Sequence, residues 1–201
     1  MDIKLIKSKI KNVEPYINGF EDMIRASVII PLVEIEGKTN ILFEVRAKKL
    51  KSQPGDICFP GGKIDLLETP KEAALREIYE ELNLKDIEIV KELDTLVRHN
   101  GIIIHPFLGI IQNIENLKIS KDEVDHVFYV PLDYLLNHKP IEAISKVQLK
   151  RSEDFPYELI FSGKNYKFKD GEEKVLFYNF EEYVIWGITA KMLKSFFNKI
   201  V

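Results

Sequence analysis

Residues 62–84 read GKIDLLETPKEAALREIYEELNL, and the ends of this stretch set its local structure. Thr69 can act as a helix N-cap and Pro70 stands at the first helical position. Glu72 lies three residues after Thr69, so Thr-Pro-Lys-Glu forms a capping box. Asn83 stands where the helix should end, because Asn follows Gly as the preferred left-handed C-terminal residue. Wound at about 100° per residue, the helix puts Ala74, Leu75, Ile78, Tyr79 and Leu82 on one side. Glu77, Glu80 and Glu81 fan out on the other, with Glu77 in the middle.

One face of this helix should pack on a core, and the other is a carboxylate cluster. Like charges at helical neighbour spacing destabilise a helix by a few tenths of a kcal/mol per pair, and a divalent cation would compensate. Glu77 and Glu81, at i and i+4, can both reach one ion. Mg²⁺ and Mn²⁺ suit such a site because hard cations prefer oxygen ligands, and Mg²⁺ takes few carboxylates plus substrate phosphate. That points to phosphate chemistry. Arg76 is expected to brace the acids through Glu68 rather than to touch substrate. Read alone, REIYEEL would pass for a solvated acidic helix face; the spacing of the whole stretch argues otherwise.

Upstream, residues 42–62 read LFEVRAKKLKSQPGDICFPGG. Arg46, Lys48, Lys49 and Lys51 put four cations within six residues, in a chain whose formal net charge is −3. The alternative to a phosphate-facing patch is a solvated strand end. Phe59-Pro60-Gly61-Gly62 should form a tight loop before the helix, since glycine lets backbone approach a ligand closely.

The rest of the chain fits one soluble enzyme domain spanning residues 1–201, with 1–20 as a lead-in. The net charge gives no reason to expect general nucleic-acid or membrane binding. No segment approaches the ~20 apolar residues of a membrane span, and the N-terminus lacks the apolar run of a secretory signal, so a cytoplasmic protein is expected. The lone Cys58 excludes an internal disulfide and reads as core packing. A homodimer is left open.

Strands are expected at Ala26 to Val33 and Ile41 to Arg46, joined as a hairpin, then at Ile87 to Val97 and Ile102 to Gln112. Pro131 to Leu136 reads as a short helix. Tyr157 to Phe161 and Tyr166 to Phe168 flank Ser162-Gly163-Lys164-Asn165 as a second hairpin candidate, and residues 183–200 carry the apolar spacing of a closing helix. Strands with interspersed helices fit a mixed sheet covered on both faces. His99, His105, His126 and His138 form no pair with zinc spacing. No Ser or Thr lies in a nucleophile-elbow context.

Gly62, Glu68, Arg76, Glu77, Ile78, Glu80, Glu81 and Leu84 fit the pattern G-x5-E-x7-R-E-U-x-E-E-x-G-U, where U is a bulky aliphatic. At average residue frequencies the six matching fixed letters would arise by chance with probability on the order of 10⁻⁵. This is the Nudix box, here residues 62–84, and the chain resembles the Nudix hydrolases. Asn83 replaces the pattern's second Gly and tolerates the same backbone conformation. The upstream stretch is similar to the motif of the coenzyme A diphosphatase branch: Leu42, Arg46, Ala47, Gly55, Phe59, Pro60, Gly61 and Gly62 match in register. Phe43 and Glu44 replace its Leu-Thr pair and Lys51 replaces its second Arg. His105-Pro106-Phe107, Val127 to Leu132 and Trp186 to Ala190 also look like this branch, so the likeness spans most of residues 25–195.

The resemblance implies an α/β fold, the α/β/α sandwich of the Nudix type with a mixed β-sheet. It implies metal-dependent hydrolysis of the diphosphate bond of coenzyme A, or of an acyl or oxidised form, to adenosine 3′,5′-bisphosphate and 4′-phosphopantetheine. Glu77 and Glu81 would hold Mg²⁺ or Mn²⁺, with Glu80 as third ligand or as the group orienting water. A carbonyl of Gly61 or Gly62 could complete the metal shell, Glu68 and Arg76 would brace loop and helix, and Arg46 and Lys51 would meet substrate phosphates. Nudix enzymes often draw a further acid or base from outside the box, which gives Glu123 and His126 some weight. Two other readings stand beside this one: a Nudix enzyme for ADP-ribose, a dinucleoside polyphosphate or a nucleoside triphosphate, and a Nudix-fold binding module without turnover. The intact set of box acids argues against the last.

Overall fold

The computed structural model describes residues 2–14 and 17–201. At its centre lies strand β1 (Ile24–Ile35), which pairs in parallel with β7 (Ile102–Ile111) and antiparallel with β2 (Lys38–Arg46). β2 in turn pairs antiparallel with β3 (Ile57–Cys58) and β8 (Val124–Pro131). The short β4 (Gly61–Lys63) pairs with β1, and β5 (Ile87–Glu92) and β6 (Leu96–Val97) pair with β7, which completes a mixed eight-stranded sheet.

The continuous apolar run of β1 makes sense because both faces of the sheet are covered. On one face Ile29, Val33, Leu42 and Phe107 meet Ala74, Ile78 and Leu82 of helix α2 (Pro70–Leu82); the first helix, α1 (Ile3–Ile10), lies in the lead-in with no buried residue. On the other face Ile30, Ile41, Phe43 and Val130 meet Ala190, Leu193, Phe196 and Phe197 of the closing helix. This is the expected α/β/α arrangement. Ile78 and Leu82 are fully buried, and such side chains typically lose about 2–5 kcal/mol of stability on truncation to Ala.

Past the short helix α3 (Leu132–Asn137), β9 (Ile141–Val147), β10 (Gly171–Phe180) and β11 (Tyr183–Trp186) make a second, antiparallel sheet. It leads into α4 (Gly187–Ile200). Stacked rings tie it to the main sheet, with Phe43–Phe128 at 5.4 Å and Phe128–Tyr183 at 3.8 Å between centroids. Thr189 at the start of α4 donates its hydroxyl to the Ile57 carbonyl at 3.0 Å.

Several expectations are corrected. The closing helix begins at Gly187, not near 183, because Tyr183 to Trp186 pair with Phe177 to Phe180 of β10. The hairpin expected across 157–168 is instead two 3₁₀ turns, Tyr157–Leu159 and Gly163–Asn165. Edge-to-face contacts among Phe155, Tyr157, Tyr166 and Phe168 replace a strand ladder there. The run from Ile87 to Val97 is broken into β5 and β6, and its register slips between Ile89 and Lys91. β8, β9 and β10 were not anticipated as strands. Among the described residues no helix is long and apolar enough to cross a membrane.

Candidate active site

Helix α2 starts and stops where its sequence dictates. The Thr69 hydroxyl accepts from the Glu72 N–H at 3.3 Å, and the Glu72 carboxylate accepts from the Thr69 N–H at 2.9 Å. Asn83 takes the left-handed conformation (φ 57°, ψ 26°) and donates its N–H to the Tyr79 carbonyl. Its side chain also donates to the Asn116 carbonyl at 3.1 Å.

Arg76 is the hub of the helix's upper end. Its guanidinium grips Glu68 with two bonds, 2.9 and 3.1 Å, and donates to Glu77 (2.8 Å), Glu80 (2.9 Å) and the Lys63 carbonyl (3.0 Å). A planar fork suits this task because paired, charge-assisted bonds fix orientation as well as distance. The bonds from Arg76 hold the Glu68 carboxyl below its ordinary pKa. The clamp thus ties the loop after β4 to the helix through the expected Arg76–Glu68 contact, and it also holds Glu77 and Glu80.

Glu81 points the other way, into the seam between helix and sheet, and is 5% exposed. One of its oxygens accepts from the Gly61 N–H at 2.9 Å. Burial is the main cause that pushes its carboxyl up to about 7. Burial also raises Glu77, against the opposing pull of Arg76. Gly61 is a steric necessity, whereas a side chain at Gly62 would displace the end of Glu77. A Cβ at Gly62 would come within 2.5 Å of the Glu77 carboxylate carbon, and one at Gly61, where φ is 152°, would meet Val28 Cα at 2.6 Å.

Beneath Glu81 lies an acid that the sequence reading recorded only as a departure from a motif. Glu44 of β2 is 1% exposed, no N–H or hydroxyl donates to its carboxyl oxygens, and its neighbour in hydrogen-bond reach is the Glu81 carboxyl. Burial and then the Glu81 charge hold its carboxyl well above the ordinary range. Glu123 adds to the field on Glu44, Glu77 and Glu81. Cys58, opposite Glu44 in the sheet, has its thiol pushed up by burial and by Glu44 and Glu81, which favours the protonated form. The signal for Glu44 was strand period: Leu42, Glu44 and Arg46 share one face of β2, and Leu42 packs in the α2 layer.

Next to this seam a cavity of about 470 Å³ opens between the main sheet and the three-stranded sheet. Its lining includes Arg46, Phe59, Arg98, Lys174, Trp186 and the N-terminus of α4. Of the four expected cations only Arg46 reaches it. Lys51 sits exposed in the loop after β2, outside the lining, and Lys49 pairs with Asp122. Arg98 and Lys174 come from segments where the sequence offered no signal; Arg98 is ion-paired with Glu173. His126 is held by Asp125 (2.6 Å) and by the Tyr183 hydroxyl (3.2 Å) rather than facing the box acids.

Among the described residues no three His, Cys, Asp or Glu side chains already converge on one point as a ready-made metal cage. The donor chemistry nonetheless suits a hard divalent cation. The acids are all carboxylates, Glu44 has two buried oxygens that receive no N–H or hydroxyl, and a buried carboxylate needs a counter-charge. Glu77 and Glu81 are the residues that would hold the ion.

A NUDIX domain model matches residues 23–152. The peroxisomal coenzyme A diphosphatase NUDT7 of Mus musculus is 36% identical over 169 residues, which cover 83% of this chain and 66% of that protein. Nudix hydrolase 3 of Caenorhabditis elegans is 33% identical over 174 residues, covering 83% of this chain and 69% of that one. The crystal structure of a MutT/nudix family protein from Enterococcus faecalis superposes with a TM-score of 0.53 at 14% identity, over 100% of this chain and 70% of that one, and so shares the fold. The matched domain covers most of the sheet, the clamp and the carboxylate seam, and on that evidence the chain belongs to the Nudix family.

Proposed function

We propose that this chain hydrolyses the diphosphate bond of coenzyme A or one of its derivatives, using Mg²⁺ or Mn²⁺. The observation that supports the reading is that Glu81 caps the Gly61 N–H, while Cys58 and Phe59, which lead into that loop, and Arg46 line a cavity whose wall includes none of the box carboxylates themselves. The mouse relative named a coenzyme A diphosphatase supports the choice of substrate.

Glu77 and Glu81 hold the cation, with Glu80 as third ligand or as the group that orients water. A bound divalent cation would neutralise phosphate oxygens and acidify a coordinated water. The chain's own residues do the rest. Arg76 fixes Glu77 and Glu80, so the acids are positioned before substrate arrives. Arg46 faces the cavity and meets a phosphate, while Phe59 and Trp186 give its wall apolar surface. Water adds to one phosphorus and the bridging P–O bond breaks, leaving adenosine 3′,5′-bisphosphate and 4′-phosphopantetheine.

Lys51 gives a second reading some support. It stands where the coenzyme A diphosphatase motif has an Arg, yet it lies outside the cavity lining. A substrate without the 3′-phosphate, such as ADP-ribose, would not need it. Product chromatography on coenzyme A, dephospho-coenzyme A, ADP-ribose and diadenosine polyphosphates, with Mg²⁺ and with Mn²⁺, separates the readings. Coenzyme A should be cleaved with the highest kcat/KM; a preference for ADP-ribose would overturn the substrate assignment, and no turnover on any of them would leave a binding module.

A further inference from the structure

Glu44 has the lowest exposure of any charged side chain among the described residues, and a helix-to-sheet seam is a poor place for an unpaired charge. Every element around it contributes something that titrates or carries charge. Arg46 lies two residues along the same strand, Glu81 on α2, Glu123 in the segment before β8, and Cys58 directly opposite on β3. Arg46 pulls toward the ionised form but makes no ion pair with Glu44. Glu81 spends one oxygen on the Gly61 N–H and is within hydrogen-bond reach of Glu44, a contact between two carboxyls that needs a proton or a cation between them. Three acids therefore face one guanidinium, and the oxygens of the deepest acid receive no N–H or hydroxyl, only the Glu81 carboxyl. The helix clamp cannot relieve this, since Arg76 is fully engaged with Glu68, Glu77, Glu80 and the Lys63 carbonyl.

We propose that Glu44 is a further carboxylate of the divalent-cation site, presented from the sheet side against Glu81, and that the bound ion is the counter-charge for this buried pair. The proposal rests on the metal reading above but goes beyond the box acids. It also gives meaning to a departure: the motif this stretch resembles carries Thr at this position, which supplies a hydroxyl and no charge. A site with Glu here should bind its cation more tightly, and it should be less stable than a Thr version when no cation is present.

The test is Mn²⁺ binding by calorimetry on the full chain, with thermal melts with and without Mn²⁺. Four proteins are compared: wild type, Glu44→Gln, Glu44→Thr and Glu77→Gln. Both Glu44 variants should weaken Mn²⁺ binding by about 10–100-fold, the range seen when outer partners of a metal site are lost. Both should melt higher than wild type in EDTA, which shows that they fold. Binding within twofold of wild type in both, with Glu77→Gln clearly weakened, would overturn the role of Glu44; the two buried acids would then simply share a proton. Failure of wild type itself to bind Mn²⁺ would remove the metal reading, and this proposal with it.

Discussion

Arg76 and Glu44 lie on opposite sides of the same short helix and handle charge in opposite ways. Around Arg76 the hydrogen bonds are matched: every N–H group of one guanidinium is engaged, by three carboxylates and a carbonyl at 2.8–3.1 Å near the surface. Around Glu44 they are unmatched: a carboxyl at 1% exposure receives no N–H or hydroxyl and has only another acid within reach. The matched cluster is complete as it stands and acts as a brace. The other, two buried carboxyls side by side, is where the proposed cation would act. Helix α2 thus joins a braced, structural half at Arg76 and a buried, chemical half at Glu81 and Glu44, and Glu77, held by Arg76, belongs to both.

The strongest way to break this division is to neutralise the chemical half. Glu81→Gln should lose turnover by more than the about 10–100-fold typical of an outer-shell partner, while the fold persists; steady-state kinetics and a melt check both. Wild-type-like kcat at limiting metal would remove Glu81 from the cation site. Gly62→Ala should come next. The new Cβ would displace the Glu77 carboxylate, and overpacking of this kind costs about 1–3 kcal/mol of stability, with activity falling alongside. An unchanged KM and kcat would mean that Glu77 need not stand where it does.

Disturbing the brace should hurt stability before chemistry. Arg76→Lys keeps one charge and loses the fork that holds Glu68, so a loss of about 1–3 kcal/mol in unfolding free energy is expected. A larger effect on kcat than on melting temperature would make Arg76 a direct participant. The smallest and sharpest test is pH, because the two halves should respond with opposite signs. Glu68 ionises more readily folded than unfolded, so its contribution is present above the unfolded carboxylate range and is lost as pH falls through the lowered folded value. Glu81, raised to about 7, binds its proton more tightly when folded. In metal-free protein its contribution is therefore full below the unfolded range near 4.5 and is lost as pH rises toward 7. Melts against wild type should diverge in opposite directions: Glu68→Gln as the pH is taken down below the unfolded range near 4.5, and Glu81→Gln as it rises from there toward 7.

What was legible in the sequence follows the range of the interactions. Helix α2 could be read to its last residue because caps and apolar period lie within a few positions of one another. The clamp was legible for the same reason, since Arg76 and Glu68 are eight residues apart. Tyr183 to Trp186 could not be placed, because Val184, Ile185 and Ile188 satisfy a helical period and only pairing with β10 decides the matter. β9 gave no apolar alternation to find, as most of its residues are exposed. The cavity cations fared likewise: Arg98 and Lys174 are brought together by two sheets whose contact is not written locally. Glu44 fell between these cases. Its face on β2 was calculable, but its neighbour Glu81 was not until β2 was known to run beneath α2.

Asn83 has a consequence that reaches beyond the turn it closes. A glycine there would serve the left-handed backbone equally well, but it would enlarge the set of conformations open to the unfolded chain and would bring no side chain. Asn83 narrows that set and ties its amide to the Asn116 carbonyl, beside the backbone bonds from Lys118 to Leu82 and from Ser120 to Glu81. The end of the acidic helix and the segment leading to Glu123 are thereby sewn together at three points. A pull on one is felt by the other, so the acids of the box and the acid outside it keep their spacing as a single rigid piece.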